Sequence, residues 1–322
     1  MSMLTGGPVV RLARMVVHPS PPADVPSLVE AYREVLGGFV DTCDGLREAE
    51  WDLPTACAGW TARDHLAHVV HVEDQLTGGE HPLTGWADGA GRDRAPIGIG
   101  SPEHVRHDFG VWVEEGVRAR AEHSPEDLLA ELRGLIEVRV AQMYDPDLEL
   151  DTPVRSTQGE QAPFGRLTEL RLSDVWVHTQ DIRAAVDRPG LLDSPGAAVF
   201  TAAVLGAVPR VVARRVEPPA GTVVILESTG PVTGRGGVRI TLDADGNCVA
   251  HELFTGHVEE AEEGEAPAAE DQPEESVTTI SLSTHELTRR AAGRQSTGDT
   301  VYHANGDEDL ARHVLDALVL TP

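Results

Sequence analysis

The first half of the chain has apolar residues at three- and four-residue spacing, which is typical of amphipathic helices. This pattern predicts a helix at residues 24–46 and a second one at about 61–76, where Thr61 has the character of an N-cap and Asp64 that of its acidic partner. Three further helices are predicted at about 102–122, 125–144 and 167–186. Helices connected in this order predict an antiparallel bundle.

The pattern changes after Pro195. An apolar helix is predicted at about residues 195–216, and short runs of β-branched residues that predict strands follow it. These runs lie at residues 221–227, 237–242, 247–254 and 276–283. A last helix is predicted at about 307–320, and a small sheet with helices predicts an α+β domain.

The length of the chain and its turn residues predict two domains. We expect a mobile leader at residues 1–22, the helical bundle at 23–190 and the α+β domain at 191–322. Residues 259–276 are acidic and rich in Ala and Pro, so they are expected to form a disordered insertion in the second domain. Residues 78–101 are rich in Gly and Pro and are expected to form a long loop.

The composition excludes several classes of function. The formal net charge of -27 excludes nucleic acid and anionic membranes as expected partners, because an acidic surface repels phosphate. All 26 basic side chains are Arg, which excludes a lysine Schiff base and a Walker phosphate loop. The three Cys residues include no closely spaced pair, so a thiolate zinc cluster is not expected. Without a predicted membrane span or signal peptide, we expect a cytoplasmic protein.

Candidate metal ligands lie in two predicted helices some hundred residues apart. Asp174 and His178 are four residues apart, so both project from one face of a helix. The second predicted helix contains His65, His68 and His71. His65 and His71 lie about 120° apart around it, so they cannot both point where His68 points, and His68 is the candidate. Three N and O ligands with a fourth position open are typical of a catalytic zinc site. The alternative is a surface helix with scattered histidines and an exposed aspartate.

Two further features bear on this hypothesis. Asp174 lies in an apolar stretch, where an unpaired carboxylate is costly to bury unless a cation neutralises it. Asp181 follows His178 by three residues and is a candidate acceptor that orients an imidazole ligand, unless it pairs with an arginine. His65 and His71 are candidates for moving protons near the site or for structural roles.

Three parts of the sequence together resemble the mycothiol-dependent maleylpyruvate isomerase family. They are the Gly59-Trp60-Thr61 turn with the histidines that follow it, residues 176–183, and the closing residues 306–322. The resemblance covers roughly residues 25–322 apart from the acidic insertion. It implies a DinB-like, metal-binding helical bundle followed by a small α+β domain similar to sterol carrier protein type 2. Members are mostly actinobacterial, which suits a chain without lysine.

The resemblance also implies particular site residues. The zinc ligands of the family are His, Glu and His, and by motif position they fall on His68, Asp174 and His178. Aspartate is one methylene shorter than glutamate, so the two helices must approach more closely or the metal must shift. In this respect the chain resembles an uncharacterised branch of the family. The resemblance makes Arg294 the counterpart of an arginine that contacts the substrate carboxylate, and Arg183 is a second candidate anion clamp.

The function implied is that of a metal-dependent enzyme, with zinc as the expected metal. It would use mycothiol or a similar low-molecular-weight thiol to isomerise a small electrophilic substrate or to transfer the thiol to it. One alternative is a metal-assisted hydrolase, in which water takes the open position. Another is a non-enzymatic ligand-binding or regulatory protein whose second domain holds an apolar molecule.

Overall fold

A computed structural model describes residues 17–80, 105, 108–254 and 276–320 of the chain. The predictions for the first sixteen residues, for most of the loop at 78–101 and for nearly all of the acidic insertion lie outside the described residues. The chain divides into two compact units. One is Pro21–Phe200, and the other combines Thr201–Pro322 with the residues that precede Pro21.

The first unit is a helical bundle with one small hairpin. Its helices are α1 (Val25–Asp44), α2 (Ala62–Thr77), α3 (Asp108–Arg118), α4 (Pro125–Met143) and α5 (Phe164–Ala185). The hairpin pairs β1 (Pro153–Arg155) with β2 (Gln161–Pro163) in antiparallel register. It lies between the predicted helices at 125–144 and 167–186, where the sequence pattern predicts no strand, because strands of three residues are too short to show an alternating pattern.

A local capping interaction fixes the start of α2, the helix that carries His68. The Thr61 side chain caps the Asp64 backbone amide, and the Asp64 carboxylate accepts from the Thr61 backbone amide at 2.8 Å. This reciprocal arrangement is a capping box, and it starts α2 one residue after Thr61, as the sequence predicts. At the other end, Gly78 has a φ of 104° and closes α2 in the left-handed conformation that glycine tolerates best.

The second unit combines a five-stranded sheet with helices, which confirms a mixed helix-and-sheet architecture. The strands are β3 (Thr222–Thr229), β4 (Thr233–Leu242), β5 (Cys248–Leu253), β6 (Ser276–Leu282) and β7 (Tyr302–Asn305), in the order β5-β4-β3-β6-β7. Only the β3–β6 pair is parallel. The helices are α7 (Thr284–Ala291), α8 (Glu308–Ala317) and α6 (Pro195–Val211), which crosses the boundary between the units. The pattern does not predict β7 or α7, and the likeness to sterol carrier protein type 2 stays a prediction.

The end of the expected mobile leader is placed on this sheet. The backbone amide of His18 donates to the Thr233 carbonyl at 2.7 Å, and the Thr233 amide donates back at 2.8 Å. Val17 beside this bridge is buried. One short bridge therefore places His18 on β4, next to the buried Val17. The mobile leader stays a prediction.

Within the part of the chain that the structure describes, one helical stretch is long and apolar enough to span a membrane. It is the 22-residue stretch Pro195–Val216, but 72% of its most apolar window is buried inside the protein. A core helix of a water-soluble protein can be equally long and apolar, so this is weak evidence for a span.

Candidate metal centre

The Gly59-Trp60 turn places an aromatic ring over the histidines of α2. Gly59 has a φ of 83°, a left-handed conformation that disfavours side chains, and the turn is closed by a hydrogen bond from the Thr55 amide to the Trp60 carbonyl at 3.0 Å. The buried Trp60 ring lies 5.1 Å from the His68 ring and 5.6 Å from the His178 ring. One wall of the site is therefore aromatic.

The structure brings together the three side chains that the sequence marks as metal ligands. Asp174 lies between the two histidines, with its Oδ2 at 3.3 Å from Nε2 of His68 and its Oδ1 at 3.3 Å from Nε2 of His178. One donor atom from each residue lies within 4.8 Å of the other two. The histidines are almost fully buried, with 5% and 8% of their side chains exposed, whereas the Asp174 side chain is 39% exposed.

These distances fit a divalent metal ion. In a tetrahedral zinc site with bonds of about 2.0 to 2.2 Å, neighbouring ligand atoms lie about 3.3 to 3.6 Å apart. Each imidazole nitrogen lies 3.3 Å from one oxygen of the Asp174 carboxylate, Oδ2 for His68 and Oδ1 for His178, at the short end of that range. These separations are also longer than most hydrogen bonds between nitrogen and oxygen. Two imidazoles and one carboxylate are a donor set that zinc commonly takes.

Asp181 faces the other nitrogen of the His178 ring. Its Oδ2 lies 3.5 Å from Nδ1, and its carboxylate is fully buried. A proton on Nδ1 directed at this carboxylate leaves Nε2 with a lone pair that points towards Asp174. Two electron-rich atoms then face each other, an arrangement that a cation between them stabilises.

The charges in the site follow from burial and from these contacts. Burial lowers the pKa of His68 to about 4, although Asp174 acts in the opposite direction. Burial also acts to lower the pKa of His178, but the carboxylates of Asp174 and Asp181 outweigh it and raise that pKa. Burial opposes ionisation of Asp174, yet His178 and His68 hold its pKa well below the usual value. His68 is therefore neutral at pH 7 and Asp174 is ionised, which is the state a metal ion requires of them.

The family model described as the mycothiol maleylpyruvate isomerase N-terminal domain matches residues 15–183, just over half of the chain. The chain belongs to this family. This match confirms the resemblance to the maleylpyruvate isomerase family that the sequence motifs indicate.

Two solved structures are similar to this member of the maleylpyruvate isomerase family. They are a mycothiol-dependent maleylpyruvate isomerase, 17% identical with a TM-score of 0.47, and a mutant of such an enzyme, 16% identical with a TM-score of 0.48. Each comparison covers 86% of this chain and 92% of the other. Both TM-scores are low, so family membership rests on the match to the family model alone. The chain matches none of the curated proteins with which it was compared.

The other two histidines of α2 have surroundings that differ from those of His68. Nε2 of His65 lies 2.8 Å from the Thr55 hydroxyl, and its ring lies 4.7 Å from that of His178. With Asp181 and His178, His65 forms a second group of possible ligands, which shares His178 with the first. The His71 ring instead packs on Trp112 at 5.0 Å, on the side of α3.

Sequence reasoning missed a buried ionic network behind the ligands. Arg171, one turn before Asp174, donates from Nε to Glu73 at 2.7 Å and from Nη1 to Oδ2 of Asp174. The other oxygen of Glu73 accepts a hydrogen bond from the Tyr32 hydroxyl. Glu73 is fully buried and Arg171 nearly so. A charged residue in the middle of an apolar helical face was the available signal, but nothing in the sequence pairs residues 98 positions apart.

The two candidate anion-binding arginines lie in different units. Arg183, near the end of α5, donates from Nη1 to the Thr42 hydroxyl and from Nη2 to the Pro189 carbonyl, both at 3.1 Å. Arg294 follows α7 in the second unit and donates to the Ala292 carbonyl at 2.9 Å. The anion-binding role of both stays a prediction.

Proposed function

We propose that the chain is a metal-dependent enzyme that uses mycothiol, or a similar low-molecular-weight thiol, in a reaction of a small electrophilic substrate. The reaction is isomerisation of that substrate or transfer of the thiol to it. The observation that carries this proposal is the convergence of donor atoms from His68, Asp174 and His178 within 4.8 Å of one another. Membership of a family described by mycothiol supports the choice of thiol.

The three side chains would hold a divalent cation, which we propose to be zinc. Their donor types are those of catalytic zinc sites, which keep one position open for a reactant. When bound, zinc supplies the Lewis acidity that ionises a thiol at neutral pH, where a free thiol with a pKa near 8.5 is mostly protonated. The ionised sulfur is the nucleophile that the proposed chemistry needs.

The residues of the chain have distinct tasks in this proposal. His68 and His178 present lone pairs from two different helices, so the site requires the folded bundle. Asp181 keeps the His178 proton on Nδ1, and Trp60 excludes water from one side of the centre. Asp174, whose side chain is the more exposed ligand, faces the side open to reactants.

We also propose that an arginine, either Arg294 or the second candidate Arg183, binds an anionic group of the substrate. A guanidinium group matches the geometry of a carboxylate, and the bonds of Arg183 to Thr42 and Pro189 hold its side chain in a defined position. On the resemblance stated above, we further propose a C-terminal unit related to sterol carrier protein type 2. The protein would be cytoplasmic, with no nucleic acid or membrane as partner.

Metal content is the first test of this proposal. Elemental analysis of the purified protein is compared with that of His68→Ala and of a matched control, His71→Ala, which removes another buried histidine from the same helix. We expect zinc in the wild type and in the control and a near-complete loss in His68→Ala. Equal metal content in His68→Ala and the wild type would remove His68 from the ligand set.

The role of the thiol is tested on the metal-loaded protein. Titration of the Co²⁺-substituted form with mycothiol or cysteine should produce a sulfur-to-metal charge-transfer band, which is absent when the site holds water. Turnover without any added thiol would favour a metal-assisted hydrolase. An apolar molecule that copurifies with protein low in metal would favour a ligand-binding protein.

A further inference from the structure

Arg171 links the two helices that carry the candidate metal ligands. It lies on α5, three residues before Asp174, and only 6% of its side chain is exposed. Besides its bond to Asp174, it donates from Nη2 to the carbonyl oxygen of Val69 at 2.9 Å. Val69 is the residue after His68 on α2. A single guanidinium group therefore contacts the carboxylate ligand and the backbone next to a histidine ligand.

Glu73 and Tyr32 fix the orientation of the Arg171 side chain. Its Nε donates to Glu73 at 2.7 Å, and the second oxygen of Glu73 accepts from the hydroxyl of Tyr32 on α1. The planar guanidinium thus uses all three of its nitrogens, and the Glu73 carboxylate balances its charge. A lysine in this position would keep the charge but not this set of directions.

Asp174 is the donor that most needs such support. Its side chain is 39% exposed, whereas the two histidines are nearly buried. Its carboxylate is also one methylene closer to the helix backbone than a glutamate would be. A short, partly solvated carboxylate reaches both histidines only if α2 and α5 lie close together and its rotation is restricted. Arg171 contacts both helices and one of the carboxylate oxygens.

We propose that Arg171 is a positioning residue of the metal centre, which holds the short Asp174 carboxylate and the His68 segment of α2 at the separation that a divalent cation requires. Glu73 and Tyr32 hold Arg171 in place. The inference rests on the proposed function, because it presupposes a cation at His68, Asp174 and His178. It assigns to three further residues a role in metal affinity.

Electrostatics and positioning make opposite predictions here. The positive charge of Arg171 repels a nearby cation, so if charge alone mattered, loss of Arg171 would tighten metal binding. If Arg171 positions Asp174, its loss weakens metal binding even when the charge is kept. Arg171→Lys separates these effects, since it preserves the charge and removes the fork of donors.

The test is a Co²⁺ titration of the metal-free protein, followed by the visible absorption of the bound ion. We expect Arg171→Lys to weaken binding about 10- to 100-fold, the usual effect of losing an outer partner of a metal ligand, and to change the absorption band with the coordination geometry. The matched control is Arg120→Lys, because Arg120 also bridges acidic side chains in the bundle but contacts none of the three ligands. Its affinity should stay within about threefold of the wild type.

Repeating the Arg171→Lys change in the Asp174→Glu variant tests whether the role of Arg171 depends on the short carboxylate. In Asp174→Glu, the longer side chain should reach the cation with less help, so the added Arg171→Lys change should cost less than about threefold in affinity. An equal loss in both backgrounds would overturn the positioning role, as would tighter binding in Arg171→Lys. Circular dichroism of the metal-free variants checks folding. Should Arg171→Lys fail to fold, Tyr32→Phe, which keeps every charge, should weaken Co²⁺ binding measurably, and unchanged binding would overturn the inference.

The outcomes separate this inference from the proposed function. A wild-type protein that binds neither Co²⁺ nor Zn²⁺ would end both. A wild type that binds Co²⁺ with unchanged affinity in Arg171→Lys would leave the proposed metal centre intact and end the role of Arg171 alone.

Discussion

Two buried polar clusters extend from the same helix, α2, and only one of them has the form of a metal centre. In the first, His68 faces the Asp174 carboxylate, and His178 approaches the same carboxylate from α5. In the second, one turn further along α2, Nδ1 of His71 lies 3.0 Å from Nη1 of Arg120. Both clusters contain a buried histidine, carboxylates and an arginine.

The clusters differ in where the positive charge lies. Nη2 of Arg120 bonds Asp74 at 3.2 Å and Glu131 at 3.0 Å, so a guanidinium group already occupies the centre of the second cluster. In the first cluster Arg171 contacts one edge of Asp174, and the two histidine nitrogens face the carboxylate directly. The position of the guanidinium group therefore distinguishes a metal centre from a structural ion cluster. The types of residue present do not.

The largest expected difference between the clusters is in metal affinity when a histidine is removed. His178→Ala removes a donor atom and the contact with Asp181, so affinity for Zn²⁺ should fall by more than about 100-fold, beyond the usual cost of losing an outer partner. His71→Ala should leave affinity nearly unchanged. Competition with a chelating dye measures both. A similar loss in the two variants would show that the clusters do not differ in this way.

The next largest effect is expected for the carboxylate behind each histidine. Asp181→Asn weakens the acceptor that orients His178, so Zn²⁺ affinity should fall about 10- to 100-fold. Asp74→Asn removes a carboxylate from the Arg120 cluster and serves as the matched control. The same chelator competition should show no change in that variant. If Asp181→Asn bound zinc as tightly as the wild type, Asp181 would have no part in orienting His178.

The sequence predicts the side chains of the candidate metal centre better than it predicts the arginines that contact them or form the second cluster. The four-residue spacing of Asp174 and His178 fixes their common face, and the family resemblance adds His68 from a distant helix. The capping box at Thr61 sets the start of α2 and hence the phase of its histidines. Periodicity also shows that His65 and His71 lie about 120° apart around α2.

What the sequence could not predict depends on contacts between distant residues. Arg171 and Glu73 are each a charged residue on an apolar helical face, but the sequence does not show that they are partners. The packing of α2 against α5 buries both and joins them. The role of Arg120 likewise depends on acidic residues in two other elements. In the second unit, β7 is only four residues long and pairs with the edge of β6, so its pattern is too short to detect.

The Arg120 cluster, in contrast to the metal centre, should affect the stability of the protein more than its metal affinity. Arg120→Met leaves Asp74 and Glu131 without their shared cation, and because both carboxylates are partly solvated, the free energy of unfolding should fall by about 1 to 2 kcal/mol. The control is Arg133→Met, whose guanidinium is about half exposed and pairs with Asp44 at the surface. That change should cost less than about 1 kcal/mol. Urea unfolding measures both, and equal losses would contradict a structural role specific to Arg120.

The smallest effect tests how tightly His71 is held on its own side of α2. A Cβ atom at Gly116 of α3 would overlap the His71 ring, so Gly116→Ala forces the ring or the helix to move. The strain should cost about 1 to 3 kcal/mol, reduced by the gain of about 1 kcal/mol from the better helix propensity of Ala. Gly134→Ala in α4 is the control, since among the described residues nothing lies within 4 Å of its added Cβ. We expect Gly134→Ala to stabilise the protein slightly and Gly116→Ala to destabilise it, with zinc affinity unchanged in both. A loss of zinc affinity in Gly116→Ala would mean that the two clusters are coupled through α2.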